Sequence, residues 1–153
     1  MRFKTFYVPV FILLFFTSAV FSQAKPPKAT PTPAPPSSSI KSSAAYIELI
    51  LHKAGIEAEL LDMSVEYTDE YPKVKELKLE VQFVQAELVN LQELSAAVLP
   101  RLTESFARLL LQKIKMQVDL AGLRAVHKDD HPDVKRAMHR VDIYEKAIKD
   151  VLQ

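Results

Sequence analysis

The chain has 153 residues, no cysteine and a formal net charge of +1 at pH 7. The lack of cysteine excludes disulfides, thiolate metal sites, a thiol nucleophile and a lipid-modified cysteine at a signal junction. The near-neutral charge produces no strong field that would attract nucleic acid or anionic lipid, so binding to nucleic acid is not expected.

An apolar stretch near the N-terminus indicates a secretory signal. Arg2 and Lys4 form a short cationic start, and residues 6–21 are almost continuously apolar before small residues follow. This is the order of a signal peptide and its cleavage site. Cleavage after Ser22 and cleavage after Ala24 both fit, and we favour the second, which defines a signal peptide of 24 residues.

An uncleaved membrane anchor is the alternative to a signal peptide. A spanning helix needs ~20 apolar residues, and this apolar run is shorter and contains Pro9. Cleavage is therefore favoured, and it removes two positive charges, which leaves a formal charge of −1. The sequence predicts a periplasmic or secreted protein that meets a membrane only if the N-terminal segment is retained.

Residues 25–43 predict a linker. The stretch is rich in proline and serine, and proline removes backbone donors and favours extended polyproline II. Such a segment adds nothing to a core, so we expect a tether ahead of the folded part. A proline-rich ligand for a recognition domain is the functional alternative.

The rest of the chain contains few helix breakers and predicts an all-α fold. After the linker, glycine occurs only at Gly55 and Gly122, and three prolines lie at regular intervals. They divide the chain into four predicted helices, which run from about Ser43 to Glu66, Pro72 to Val98, Arg101 to Val126 and Pro132 to Leu152. We expect two tandem antiparallel hairpins, at 44–98 and 101–153, that form a four-helix bundle or an elongated coiled coil.

The second and fourth predicted helices carry heptad seams. Their apolar residues alternate at spacings of three and four, a period that a strand cannot keep. The seam of the second helix comprises Val74, Leu77, Val81, Val84, Leu88 and Leu91, and its rhythm continues to Ser95 and Val98. The seam of the fourth helix comprises Val134, Ala137, Val141, Tyr144, Ile148 and Val151.

The first and third predicted helices have broader apolar stripes, which indicate contact with more than one neighbour. The first stripe comprises Ile47, Ile50, Leu51, Ala54, Ala58, Leu61 and Val65. The third comprises Ala107, Leu110, Leu111, Ile114, Val118, Ala121 and Ala125. Burying both stripes requires either that the two hairpins pack against each other or that they bind other chains.

The two halves of the helical region repeat each other at an offset of 60 residues. Without a gap, Tyr46 aligns with Phe106 and Pro72 aligns with Pro132, and the two seams align as well. We interpret the halves as duplicates of one unit, which consists of a helix, a short turn and a second helix.

The turn of each half has the order Asp, acidic residue, aromatic ring, Pro, any residue, Val. Proline suits the first helical position, where its missing N–H costs nothing, and the residue before it is held extended. The aspartates are expected to cap free amide groups of the following helix. The predicted turn residues are Asp69, Tyr71, Pro72, Val74, Asp129, His131, Pro132 and Val134.

The segments YTDEYPKVKEL and HKDDHPDVKRA resemble a Tyr-Thr-x-x-His-Pro-x-Val pattern. This pattern occurs in the periplasmic coiled-coil hairpin of bacterial polysaccharide chain-length determinant and exopolysaccharide export proteins. The first segment has Tyr71 in place of the histidine, and the second has His127 and Lys128 in place of Tyr-Thr. The resemblance covers about residues 46–153 and implies an envelope-located coiled coil with a part in surface-polymer assembly or export.

One cluster could carry chemistry, and it comprises His127, Asp129, Asp130, His131 and Asp133, with His139 farther along the fourth helix. Its candidates for a metal site are His127, Asp129 and His131, because imidazole and carboxylate groups suit zinc. Against a metal, the two histidines flank a turn instead of sharing a helical face, and Tyr67 and Tyr71 replace them in the first half. We therefore expect solvated turn and capping groups whose rings cover the hairpin end, with no cofactor. A pH-sensitive histidine pair is a further alternative.

The residues provide no support for catalysis. Ser64 and Ser95 have no histidine nearby in the sequence, and two glycines cannot build a phosphate-binding loop. The sequence therefore predicts a non-enzymatic scaffold, adaptor or chaperone-like binding protein of the bacterial cell envelope. It would bind protein partners or itself through its seams, and an accessory role in surface-polysaccharide export and periplasmic metal binding are the two alternatives.

Overall fold

The computed structural model describes residues 39–153, so the predicted signal peptide and most of the predicted linker lie outside the described residues. The long helices are α1 (Ala44–Glu66), α2 (Pro72–Gln92), α3 (Glu104–Val126) and α4 (Pro132–Leu152). Short 3-10 helices occupy Ile40–Ser42 and Ala96–Arg101, and residues 39–153 contain no strand. The predicted all-α class is confirmed. None of the helices in this part of the chain combines the length and the apolarity needed to cross a membrane.

The bounds of the helices repeat at the offset seen in the sequence. α3 begins and ends 60 residues after α1, and α4 begins and ends 60 residues after α2. The caps repeat as well, because Ser43 Oγ accepts a hydrogen bond from the Tyr46 amide and Thr103 Oγ1 accepts one from the Phe106 amide, each at 3.2 Å. A side-chain oxygen at this position satisfies one of the free amides of a helix start. Equivalent local signals therefore start α1 and α3.

The two turns place proline at the start of the following helix, as predicted. Tyr71 and His131 precede the prolines with extended backbone, at φ −63° and ψ 130° for Tyr71 and φ −62° and ψ 137° for His131. This is the region to which a following proline restricts a residue. The backbone of both turns is therefore determined locally.

The predicted capping role of the turn aspartates is wrong. The Asp69 carboxylate pairs with Lys78 Nζ at 2.7 Å, and the Asp129 carboxylate accepts a hydrogen bond from Arg124 Nε at 2.9 Å. Each aspartate lies two residues before the cap position, which the residue preceding proline occupies. The aspartates instead pair with cations of the adjoining helices.

The connection between α2 and α3 also differs from the prediction. α2 ends at Gln92 instead of Val98, and α3 begins three residues later than predicted, after the 3-10 helix of residues 96–101. Ser95 lies beyond the end of α2, where its side chain accepts a hydrogen bond from a backbone amide and caps the 3-10 helix. Pro100 then disfavours α-helical backbone at the residue before it.

The end of the predicted linker belongs to the folded part. The 3-10 helix Ile40–Ser42 contacts both α1 and α2, and the Ile40 side chain packs against the main core. Burial of the Ile40 side chain against this core stabilises the short helix. Residues 40–43 of the predicted linker are therefore part of the helical fold.

The helices pack in sequence, and α3 has the central position. α1 packs against α2, while α3 packs against α4 and also against both α1 and α2. The main core consists of buried residues of the first three helices and their connection, namely Ala45, Leu49, Ile56, Leu77, Val84, Leu88, Leu91, Leu102, Phe106, Ala107, Leu110 and Ile114. A second, smaller core of Leu120, Val134, Ala137 and Val141 joins α3 to α4.

The seams of α2 and α4 face the interior over most of their length. Val81, Tyr144 and Ile148 are half-buried, and the seam residues before them in each helix are buried. Val151 is 39% exposed, and its neighbour Leu152 packs against the main core instead. An α-helix drifts by about 20° per heptad against a strict heptad seam, so the buried face rotates away from Val151 by the last turn.

α1 turns a different apolar face inward from the one predicted. The inner face consists of Ala45, Leu49 and Ile56, with Leu60 and Met63 partly buried. The residues of the predicted stripe lie on the surface, and its five large side chains are 42–83% exposed. We name this surface the α1 outer stripe; it comprises Ile47, Ile50, Leu51, Ala54, Ala58, Leu61 and Val65. Both faces of α1 have helical periodicity, so periodicity alone could not distinguish them.

Candidate binding surface and turn site

The α1 outer stripe has the spacing of a coiled-coil seam. From Ile47 to Val65 its residues recur at intervals of four, three, four, three and four when Ile50 is left aside. The stripe spans roughly 27 Å at 1.5 Å per residue. The middle of the stripe has little side-chain bulk, since Ala54 and Ala58 have short side chains. Gly55 beside them borders open space, because a Cβ added there would meet no atom within 4 Å. This geometry allows the close approach of another helix.

α3 carries the same stripe and buries its first part, from Ala107 to Ile114. The positions that lie 60 residues after Ile47, Ile50 and Ala54 are Ala107, Leu110 and Ile114, which belong to the main core together with buried residues of α1 and α2. Their neighbours at 111, 118 and 121 are half-buried. α3 therefore uses this set of positions to pack on the α1–α2 pair, whereas α1 leaves its equivalent set exposed.

The charge of the helical region is divided between its halves. α1 contains five carboxylates and one lysine, a net charge of −4, whereas α3 and α4 together carry a net charge of +3. The acidic residues of α1 are Glu48, Glu57, Glu59, Asp62 and Glu66. A contact between the outer stripes of two copies would bring like charges together, and a contact between α1 and the α3–α4 pair would bring opposite charges together.

An open groove lies between α2 and α3 near the two turns, with a volume of about 880 Å³. Its apolar lining includes Leu79, Val118 and Gly122, and charged side chains such as Lys75 and Arg140 stand at its border. The two cores are separate at this end, since the main core joins α1, α2 and α3 while the smaller core joins α3 to α4. The groove is therefore the place where the packing between the two pairs is incomplete.

Each turn ends in a stacked pair of rings. The rings of Tyr67 and Tyr71 lie 4.3 Å apart at an interplanar angle of 26°, and those of His127 and His131 lie 4.0 Å apart at 12°. His127 and His131 therefore share one site although they flank a turn, contrary to the expectation from the sequence. In both halves, two ring-bearing residues stand four positions apart across the turn, and this repeated spacing is the sequence feature that indicates the stack.

Asp133 is the third member of the histidine site. Donor atoms of His127, His131 and Asp133 all lie within 4.8 Å of one another. Asp129, the carboxylate chosen from the sequence, instead pairs with Arg124. The turn thus brings together two imidazoles and one carboxylate, the ligand types that suit a divalent transition metal.

The two serines considered for nucleophilic chemistry have structural partners. Ser64 Oγ donates to the Leu61 carbonyl at 2.7 Å, and Ser95 Oγ accepts from the Ala97 amide at 3.3 Å. Neither side chain is in contact with a base, which an activated serine requires. The described part of the chain therefore offers two kinds of candidate site, which are the apolar outer stripe and the histidine turn.

Comparison of the chain with protein-family models, with curated proteins and with solved structures finds no match. The resemblance of the turns to those of polysaccharide export proteins stays a prediction. Function is therefore inferred from the two surfaces described above.

Proposed function

We propose that the chain is a non-enzymatic helical scaffold of the cell envelope that assembles through the α1 outer stripe. The partner that fits the stripe is a second copy of the same chain. In this assembly α1 of one copy packs on the α3–α4 pair of the next copy, as α3 packs on the α1–α2 pair within each copy. The observation that supports it is the equivalence between the exposed stripe of α1 and the stripe of α3, whose residues 107, 110 and 114 are buried against the α1–α2 pair.

The α3–α4 pair has apolar residues where such a contact requires them. Within one copy, Glu87 and Leu91 of α2 lie on the side that meets α3, because Glu87 pairs with Lys113 and Leu91 belongs to the main core. The equivalent residues of α4 are Ala147 and Val151, and neither is fully buried. The second pair therefore has a receiving surface that is still partly open.

Charge supports the same orientation. The acidic α1 and the net positive α3–α4 pair attract each other, whereas two α1 helices repel. A contact of this kind is head-to-tail, and because it joins two different surfaces it can be repeated from copy to copy. The predicted scaffold is thus a row of stacked helical pairs, in which each pair contacts its neighbours as the units of a repeat protein do.

The oligomeric state of the full-length chain tests the proposal. Light scattering coupled to size exclusion should show a mass that rises with protein concentration and falls with added salt, because salt screens exposed charges. The double variant Leu51→Glu/Leu61→Glu should be monomeric, with the melting temperature that the wild-type chain has at concentrations where it is also monomeric. Val89→Glu changes an exposed apolar residue of α2 outside the stripe and serves as the matched control.

A mixing experiment tests the orientation. Val151→Glu on the receiving surface should also be monomeric, and an equimolar mixture of this variant with the stripe variant should form dimers and nothing larger, because only one intact contact remains. An assembly strengthened by salt would indicate pairing of two α1 helices. A wild-type chain that is monomeric at every concentration would overturn the proposal and leave the stripe to a foreign helix.

A further inference from the structure

We infer that the turn between α3 and α4 binds a divalent transition-metal ion such as zinc through His127, His131 and Asp133. This site is independent of the α1 outer stripe. Its ligands are two neutral imidazoles and a carboxylate, and solvent supplies the remaining positions of a four-coordinate ion. The inference rests on three observations of the described residues, which are the placement of the donors, the hydrogen bonding of His131 and the composition of the equivalent turn.

The first observation is the placement of the donor atoms. Two nitrogens on a tetrahedral zinc ion lie about 3.3 Å apart, as follows from zinc–nitrogen distances of about 2.0–2.1 Å. The donors of the three residues already lie within 4.8 Å of one another. His127 is exposed, and His131 and Asp133 are only half-buried. The two imidazole rings stack at 4.0 Å and 12°, so their in-plane lone pairs point in nearly parallel directions and the rings must swing apart to bind one ion. Because His127 is exposed and His131 is half-buried, this unstacking requires no change in the core.

The second observation is the hydrogen bonding of His131. Its Nδ1 accepts a hydrogen bond from the backbone amide of Asp133 at 3.2 Å, and the Asp133 carboxylate lies 3.6 Å from the same nitrogen. A ring nitrogen that accepts a hydrogen bond carries a lone pair, which is the form that binds a metal. A metal at Nδ1 would displace the Asp133 amide. A metal at Nε2 requires the tautomer with the proton on Nδ1, which gives up the hydrogen bond from the amide and can donate to the Asp133 carboxylate instead.

The third observation is the equivalent turn of the first half, which folds in the same way without any of the ligands. Tyr67, Tyr71 and Lys73 stand at the three positions, and the tyrosine rings stack as the histidine rings do. A hydrogen bond to Glu76 raises the pKa of Lys73, so that this side chain stays a cation and cannot act as a ligand. The turn therefore does not need histidine or aspartate for its own stability, yet the second turn has a metal-binding residue at all three positions.

Cationic and acidic residues nearly balance around the second turn, where Arg124, Lys128, Lys135 and Arg136 accompany three aspartates. Residues 127–133 contain three aspartates and one lysine, whereas residues 67–73 contain two acidic residues and one lysine. Arg136 pairs with Asp133, and Arg124 pairs with Asp129. An ion must therefore displace Arg136 from the Asp133 carboxylate, and because this ion pair is exposed its loss costs little.

Calorimetric titration of the full-length chain, prepared without a histidine tag, with zinc chloride tests the site. We expect one zinc ion per chain with a dissociation constant in the micromolar range. The variant His127→Tyr/His131→Tyr/Asp133→Lys gives the second turn the residues of the first at these three positions, so it should fold normally and lose saturable zinc binding at this turn. The reverse variant, Tyr67→His/Tyr71→His/Lys73→Asp, should bind a second ion.

Two outcomes would overturn the inference. One is the absence of saturable heat with the wild-type chain at submillimolar zinc. The other is equal affinity in the variant with the tyrosine turn, which would place the ion at other residues, such as His52 beside Glu80 or His139 beside Asp142. Because the turn variants leave α1 unchanged, neither outcome affects the test of assembly through the outer stripe.

Discussion

The Glu87 carboxylate of α2 and the Lys113 ammonium of α3 form an ion pair across the interface of the two helical pairs, and both residues are more than nine-tenths buried. Asn90 Nδ2 adds a long hydrogen bond of 3.5 Å to the same carboxylate. Lys53, the equivalent of Lys113 in the first half, pairs with Glu57 on its own helix instead. The buried pair is therefore specific to the contact that joins α3 to the α1–α2 pair.

Removing one partner of this pair should be strongly destabilising. Lys113→Ala leaves a buried carboxylate without its cation, and the expected cost is about 3–5 kcal/mol in the free energy of unfolding. Replacing both, as in Glu87→Leu/Lys113→Met, should restore most of the stability, because apolar side chains of similar size need no partner. Urea unfolding of the three proteins checks this, and single variants that lose less than about 1 kcal/mol would contradict the buried pair.

The orientation of α1 predicts opposite effects for two neighbouring leucines. Leu49 is fully buried, so Leu49→Ala should cost about 2–5 kcal/mol through lost contacts and a cavity. Leu51 is exposed, so Leu51→Ala should change the stability of the monomer by no more than about 0.5 kcal/mol. Thermal and urea unfolding at low protein concentration measure both changes in stability. Equal costs would contradict the assignment of Leu49 to the buried face of α1 and of Leu51 to its exposed face.

A charge placed in the seam of α2 or α4 should disrupt the fold. Leu88 lies in the main core, so Leu88→Asp buries an unpaired carboxylate at a cost of several kcal/mol and should unfold the chain. Val141 lies in the smaller core between α3 and α4, so Val141→Asp should loosen α4 first. Circular dichroism during heating gives the measurement, with Ile143→Asp on the exposed face of α4 as the control. A wild-type melting curve for either seam variant would refute the assignment of these residues to the interior.

The helices and turns could be predicted from sequence because local chemistry determines them. Pro72 and Pro132 favour a helix start independently of tertiary packing, since the missing N–H and the restricted φ are properties of proline itself. The buried face of α2 could also be predicted, because charged residues flank its apolar seam and leave one side of the helix suitable for burial. The end of α2 could not be predicted in this way, because the heptad spacing continues to Ser95 and Val98. In the structure, Ser95 instead caps a 3-10 helix through its side-chain hydrogen bond.

The histidine site could be predicted only in part. The sequence indicates the cluster of histidines and aspartates, but the stacking of His127 and His131 depends on how the turn folds back. Of the aspartates in that cluster, Asp133 and not Asp129 lies beside the histidines. Arg124 explains the difference, because it holds the Asp129 side chain toward α3. A pairing between a turn residue and a helix residue is decided by the relative direction of the two side chains, which spacing does not specify.

The sequence by itself therefore determined four helices, their two proline turns and the repeat that relates them, since each depends on interactions between residues close in the chain. The tertiary structure decided which face of α1 is inside. Ala45 and Leu49 lie on one apolar face of α1 and Ile47 and Leu51 on another, and either satisfies helical periodicity. Only the packing of α2 and α3 selects between them, because burying one face is enough to close the core and leaves the other exposed.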